Sequence, residues 1–254
     1  MRAFESENFD GREAASSRAE ASATDGPYRL RGASDAVWAS QGYSQRHGMG
    51  RRIGEALVAI GRMILPVIFL SLSFAAIYLY MDRSLSYFAD AQGKWLTVSH
   101  LLLPVAFLTV HLTNRRYGPS YAFAQIVISL ALCGAVAMFS AEQLRHLLPN
   151  QIVPTLREGA SFAGAFFVAG FLGIIAFDGA RGPRWWIAPL LASLIAGLIF
   201  VLVFYPLAFA GTGTIWTAHM VINAAVLAVG AVVGIVPYWF LRRAIPPLPG
   251  FGGY

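Results

Sequence analysis

Charge is scarce in this chain: Asp, Glu, Lys and Arg make up 13% of its 254 residues, against about a quarter in an ordinary soluble domain. The little that exists is crowded to one end. Residues 1–50 hold seven acids and six arginines, which leaves six acids and 13 basic residues for the rest. Lysine is almost missing, with Lys94 the single example, and the one cysteine, Cys133, excludes an internal disulfide and a cysteine metal cluster. The chain contains no GxSxG, HExxH or CxxC pattern and no phosphate-binding Gly-Lys-Ser/Thr loop. The glycines of GTGT at 211–214 lack that lysine and read as a tight turn. These absences argue against a conventional water-soluble enzyme, and no enzymatic activity or cofactor is expected. The net charge of +6 does not point to nucleic acid either, because the arginines come in pairs between apolar runs instead of sharing one polar surface.

What the chain has is long apolar runs. A hydrocarbon core of about 30 Å needs about 20 mostly apolar residues per helix, and six runs of that order lie at 63–80, 95–112, 121–139, 160–177, 186–209 and 216–241, none with an acid, lysine or arginine inside. Backbone groups must be satisfied within lipid, and the runs exceed barrel strands, so the expected fold is all-α: a polytopic bundle of six transmembrane helices over 63–243. Arg46, Arg51, Arg52, Arg62, Arg115, Arg116, Arg181, Arg184, Arg242 and Arg243 fall on one side, whereas Arg83, Lys94, Arg145 and Arg157 on the other are offset by Asp82, Asp90, Glu142 and Glu158. The positive-inside rule then puts both termini in the cytoplasm. Trp95, Trp185, Trp186, Trp216 and Trp239 sit at span edges, the preferred level for an amphipathic ring.

Residues 1–50 are too poor in aliphatics to fold alone and read as a disordered cytoplasmic tail able to dock a membrane-complex partner. They carry no apolar core of a secretory signal. Residues 51–62 place Ile53, Leu57 and Ile60 among arginines, a pattern that fits a short interfacial helix or an extension of the first span. Residues 244–254 form a short tail.

Polar residues inside spans are the natural functional candidates, since they are expensive unless they face the bundle interior. They are His100, Thr109, His111, Gln125, Ser129, Ser193, Thr217, His219 and Asn223. His100 and His111 are eleven residues apart, about three turns, and so share roughly one helix face. No histidine forms an i, i+3 or i, i+4 chelating pair, so no metal site is expected. Small residues at four-residue spacing, Ala160 with Gly164, Ser193 with Gly197 and Gly230 with Gly234, predict close helix approach. Pro66, Pro104, Pro189, Pro206 and Pro237 are candidate kinks, and Pro104 and Pro206 lie deepest.

Two stretches, FLTVHLTNRRYGP at 107–119 and AFDGARGPRWW at 176–186, resemble the vitamin-uptake-like family that includes the queuosine precursor transporters. Asn114, Arg115, Arg116, Tyr117 and Gly118 match the end of one family helix, and the Phe-Asp, basic loop and tryptophan pair match the approach to its fifth. The chain departs where the family carries a Thr-Asp pair, here Val110 and His111, and where it carries Gln and Asp, here Gly197 and Phe200. The resemblance implies a multi-pass protein of a bacterial inner membrane that imports a small planar heterocycle. His111, Gln125, Asn223 and His100 would hydrogen-bond the ligand and Trp185 would stack on it. The loss of both acids leaves a second reading, a non-transporting structural or assembly subunit of a larger membrane complex.

Overall fold

The computed structural model describes residues 48–80, 89–90, 93–94, 97–147, 155–213 and 216–247. Most of the 1–50 tail and the end of the 244–254 tail lie outside these residues. Seven helices appear among the described residues: α1 (Gly48–Leu79), α2 (Val98–Tyr117), α3 (Pro119–Leu147), α4 (Leu156–Gly179), α5 (Ile187–Phe209), α6 (Trp216–Val233) and α7 (Ile235–Ala244). One two-residue antiparallel pair, β1 (Ala89–Asp90) with β2 (Gly93–Lys94), lies between α1 and α2. The chain divides into Met1–Ala59, described only from the helical start at Gly48, and Ile60–Tyr254, which holds the bundle. Residues 51–62 are helical, within the bounds of α1.

Among the described residues, five helices, over Gly54–Leu79, Pro119–Phe139, Leu156–Gly179, Ile187–Phe209 and Trp216–Val233, are long and apolar enough to cross a membrane. The expected span at 95–112 is helical over a shifted range, 98–117 in α2, and it is not one of the five. The physical reason is composition: Ser99, His100, Thr109, His111, Thr113, Asn114, Arg115 and Arg116 all lie in its 20 residues. Yet α2 is central, touching α3, α4, α5, α6 and α7, and it buries Leu103, Ala106, Phe107 and Val110 together with His111, Thr113, Asn114 and Arg115. A second correction concerns 216–241, expected as one run, which breaks at Gly234 into α6 and α7. Pro237 has no N–H for the Val233 carbonyl, and its ring crowds that carbonyl, so the ladder is interrupted there. The deeper prolines do not break their helices: Pro104 lies inside an unbroken α2 and Pro206 inside α5.

Local chemistry explains where the helices begin and end. Thr155 caps α4 in a capping box, its hydroxyl accepting from the Glu158 N–H at 3.2 Å while a Glu158 carboxylate oxygen accepts from the Thr155 N–H at 2.7 Å. Arg157 reaches across to the end of α5, donating to the Leu207 carbonyl at 2.8 Å and the Ala210 carbonyl at 2.7 Å, groups that no later turn can satisfy. The glycines of the following turn, Gly211 and Gly213, adopt φ of 79° and 73°, as the GTGT reading requires.

Small residues set the packing. A Cβ built on Gly230 would collide with the Pro104 ring of α2, one on Gly197 would lie 3.1 Å from Leu227 Cβ, and one on Gly173 would lie 3.0 Å from Ala196 Cβ. Gly164, by contrast, faces open space. Phe74 of α1, Phe107 of α2, Phe162 and Phe166 of α4 and Phe200 of α5 fill the centre; Phe107 and Phe166 stack at 4.9 Å and Phe74 meets Phe166 edge-on at 4.7 Å. α1 is tied to α3 by a polar seam, with Gln125 donating to the Pro66 carbonyl at 2.8 Å, Ser129 to Val67 at 3.3 Å and Cys133 to Ser71 at 3.9 Å. Outward faces remain apolar, as at Val221, Val229 and Val232, which suits lipid.

Candidate functional site

The interior polar residues divide into three groups along the bundle. At the end where α2 and α6 begin and α5 finishes, His100 replaces the usual Glu of a capping box: its Nδ1 accepts from the Thr97 N–H at 3.2 Å and lies 2.8 Å from the Thr97 hydroxyl. A neutral ring that accepts at Nδ1 carries its proton on Nε2, and Nε2 faces the Tyr205 hydroxyl of α5 at 3.5 Å. Asn223 of α6 lies beside the same Tyr205 side chain, its Oδ1 buried without a hydrogen-bond partner, and His219 of α6 lies close enough to His100 to act on it electrostatically. Four of these residues, His100, Tyr205, His219 and Asn223, are brought together from three helices.

His111 stands about three turns further along α2, beyond the Phe107 and Phe166 rings. It is 1% exposed, and neither ring nitrogen has a hydrogen-bond partner. Its ring stacks on Phe177 of α4, with centroids 5.7 Å apart, and its Cε1 edge lies beside Gly173 where α4 closes on α5. An imidazole always has at least one donor, and leaving a buried donor unmet costs about 1–3 kcal/mol. The neighbouring glycine and alanines, Gly173, Ala192 and Ala196, supply no side-chain polar group to meet it.

At the opposite end, where α2, α4 and α7 finish, the third group carries charge. Asp178 accepts from Arg181 at 2.8 Å and from the Asn114 amide at 3.2 Å, and Arg181 also donates to the Asn114 backbone carbonyl at 3.0 Å. Buried Arg115 donates through Nε to the Ile245 carbonyl at 3.1 Å and lies over the Tyr238 ring at 5.9 Å. Trp185 stacks on Tyr238 with centroids 6.4 Å apart, and Arg242 lies 4.3 Å over Trp185.

The five expected ligand residues therefore do not meet. His100 and Asn223 converge through Tyr205; His111 is separated from them by the phenylalanine cluster; Gln125 commits its amide nitrogen to Pro66, although its carbonyl oxygen is buried without a partner; and Trp185 belongs to the charged end. Sequence reasoning missed Tyr205 and Tyr238, which inside apolar runs look like any other core aromatic. Asp178 and Arg181 were visible in the 176–186 stretch, but only the fold brings Asn114 to them. Among the described residues no group of three or more His, Cys, Asp or Glu side chains is placed to hold a metal ion. No protein-family model, no curated protein and no solved structure matches the chain.

Proposed function

We propose that this chain is a six-span protein of a bacterial inner membrane, with both termini cytoplasmic, that imports a small planar heterocycle of the queuosine-precursor class. In this reading α2 is the sixth span, its polar residues sheltered by α3, α4, α5 and α6. The six arginines that finish α2, follow α4 and finish α7 mark the cytoplasmic end. The observation that carries the transport reading is His111, a buried imidazole with both nitrogens unmet beside an aromatic face. A heterocycle with donor and acceptor edges would satisfy those nitrogens while its faces pack on rings such as Phe177. His100, Tyr205 and Asn223 are the matching polar station at the far end, and Trp185 packs on Tyr238 under Arg242, in the same apolar cluster as Phe177. No nucleotide-hydrolysing motif exists in the sequence, so a gradient, a partner ATPase or trapping after facilitated entry would supply the drive.

Uptake of labelled 7-deazaguanine by vesicles containing the purified protein tests this. Uptake above that of protein-free vesicles, lost in His111→Ala, is the expected result. Background-level uptake in every preparation sinks it.

A second reading is favoured by the packed Phe74, Phe107, Phe162, Phe166 and Phe200 cluster, which closes the middle of the bundle between the two stations. A structural subunit needs such a solid centre, whereas a transporter must open it. Purification in mild detergent separates the two: a stoichiometric partner and no heterocycle-dependent thermal shift indicate the subunit, and a heterocycle-stabilised protein without partner indicates transport.

A further inference from the structure

The charged end of the bundle does more than the positive-inside rule asks. Six arginines gather there, and they divide by exposure. Arg116, Arg184 and Arg243 are exposed, which is all that topology and helix dipoles require. Arg115, Arg181 and Arg242 instead turn inward, buried or half-buried, and all three lie close enough to the Tyr238 side chain to act on it electrostatically. They come from three separate places in the chain, the last turn of α2, the α4–α5 connection and the last turn of α7, so the convergence is a property of the fold.

The charge balance around Tyr238 is uneven. Asp178 is the carboxylate bonded to this group, and it is taken up by Arg181 and Asn114. Arg115 is 6% exposed, and among the described residues no acid pairs with it; it has the Ile245 carbonyl and the Tyr238 ring. A buried guanidinium without a counter-charge is costly, because the interior returns little of its lost hydration. Among the described residues, three guanidiniums against one carboxylate leave an excess of two positive charges beside a phenol hydroxyl. Tyr238 is 1% exposed and the Arg181 side chain 10%, whereas Arg242 and Trp185 are half-buried and form the edge at which the cluster meets the surface.

We propose that Arg115, Arg181 and Arg242, gathered around Tyr238, form a binding site for a phosphate group. The guanidinium fork matches phosphate oxygens in geometry and charge, the Tyr238 hydroxyl adds a donor, and Trp185 sits where an interfacial ring packs against acyl or glycerol carbons. Two sources present this chemistry at a membrane surface, the headgroup of an anionic phospholipid and a soluble phosphate.

Thermal unfolding of the purified full chain in detergent tests the site, with phosphatidylglycerol against phosphatidylcholine in one arm and inorganic phosphate against chloride at equal ionic strength in the other. A midpoint raised by phosphatidylglycerol alone assigns a lipid headgroup, and one raised by inorganic phosphate with no added effect of phosphatidylglycerol assigns a soluble phosphate. In either case Arg115→Gln and Arg242→Gln raise the half-saturating concentration by about tenfold each, the size of one lost charged hydrogen bond, while Arg116→Gln and Arg243→Gln leave it unchanged. Should Arg115→Gln fail to fold, Arg242→Gln and Tyr238→Phe carry the comparison. No shift in either arm, or equal weakening by the inward and outward substitutions, overturns the proposal.

Discussion

His111 is the residue at which sequence and structure speak to each other most directly. Its place inside an apolar run marks it as costly, and the fold sharpens the cost by removing every partner from both nitrogens. An apolar side chain of similar size has no such penalty. Replacement by leucine is therefore expected to raise the thermal midpoint of the purified protein, by up to about 1–3 kcal/mol in stability, while reducing heterocycle uptake to background. A lowered midpoint, read by differential scanning fluorimetry in detergent, would mean that the imidazole has a stabilising contact. His100 and Gln125 differ from it in being partly committed to structure: Nδ1 of His100 caps α2 and the amide nitrogen of Gln125 joins α3 to α1. Nothing in the residue type distinguishes these uses, because an imidazole or amide that caps a helix has the same donors and acceptors as one that binds a ligand.

Among the helices, small residues decide which faces meet, and four-residue spacing reports only that a face is smooth. Of the spaced glycines, Gly197 and Gly230 lie against Leu227 and Pro104, whereas Gly164 meets open space; Gly170 and Gly173, which lie outside the recognised pairs, pack against Ile126 and Ala196. Gly230→Ala forces a methyl group into the Pro104 ring, which cannot rotate away, and is expected to cost about 1–3 kcal/mol as α6 separates from α2. Gly164→Ala should be neutral or slightly stabilising, since alanine is the better helix former. Unfolding midpoints of the two variants beside the unmodified protein check this, and equal midpoints would contradict the α2–α6 contact. α2 illustrates a wider point about elements: its polarity makes it the least membrane-like of the long helices, and the same polarity is what its central position accommodates.

For the whole molecule, the direction of each helix follows from contacts across the bundle. Asn114 meets Asp178 at one end and Arg157 meets Leu207 at the other, so α2 and α4 run the same way and α5 runs back between them. All of Arg115, Arg116, Arg181, Arg184, Arg242 and Arg243 then belong to one end. If that end is cytoplasmic, a cysteine-free background made with Cys133→Ala gives a simple readout. The Thr212→Cys variant is expected to react with a membrane-impermeant maleimide on intact cells and the Gly182→Cys variant only after permeabilisation; the reverse pattern would invert the topology.

The sequence by itself determined that the protein is helical and built for lipid, because apolar length and the exclusion of charge from the runs are properties of consecutive residues. It also located the ends of most helices, within a few residues, through arginines and tryptophans. Only the tertiary structure decided which polar residues meet. Tyr205 joining His100 to Asn223, three arginines closing on Tyr238, and a phenylalanine cluster separating two polar stations are all contacts between residues far apart in the chain. Hydropathy is blind to such contacts because it sums over neighbours in sequence, whereas burial and pairing depend on neighbours in space.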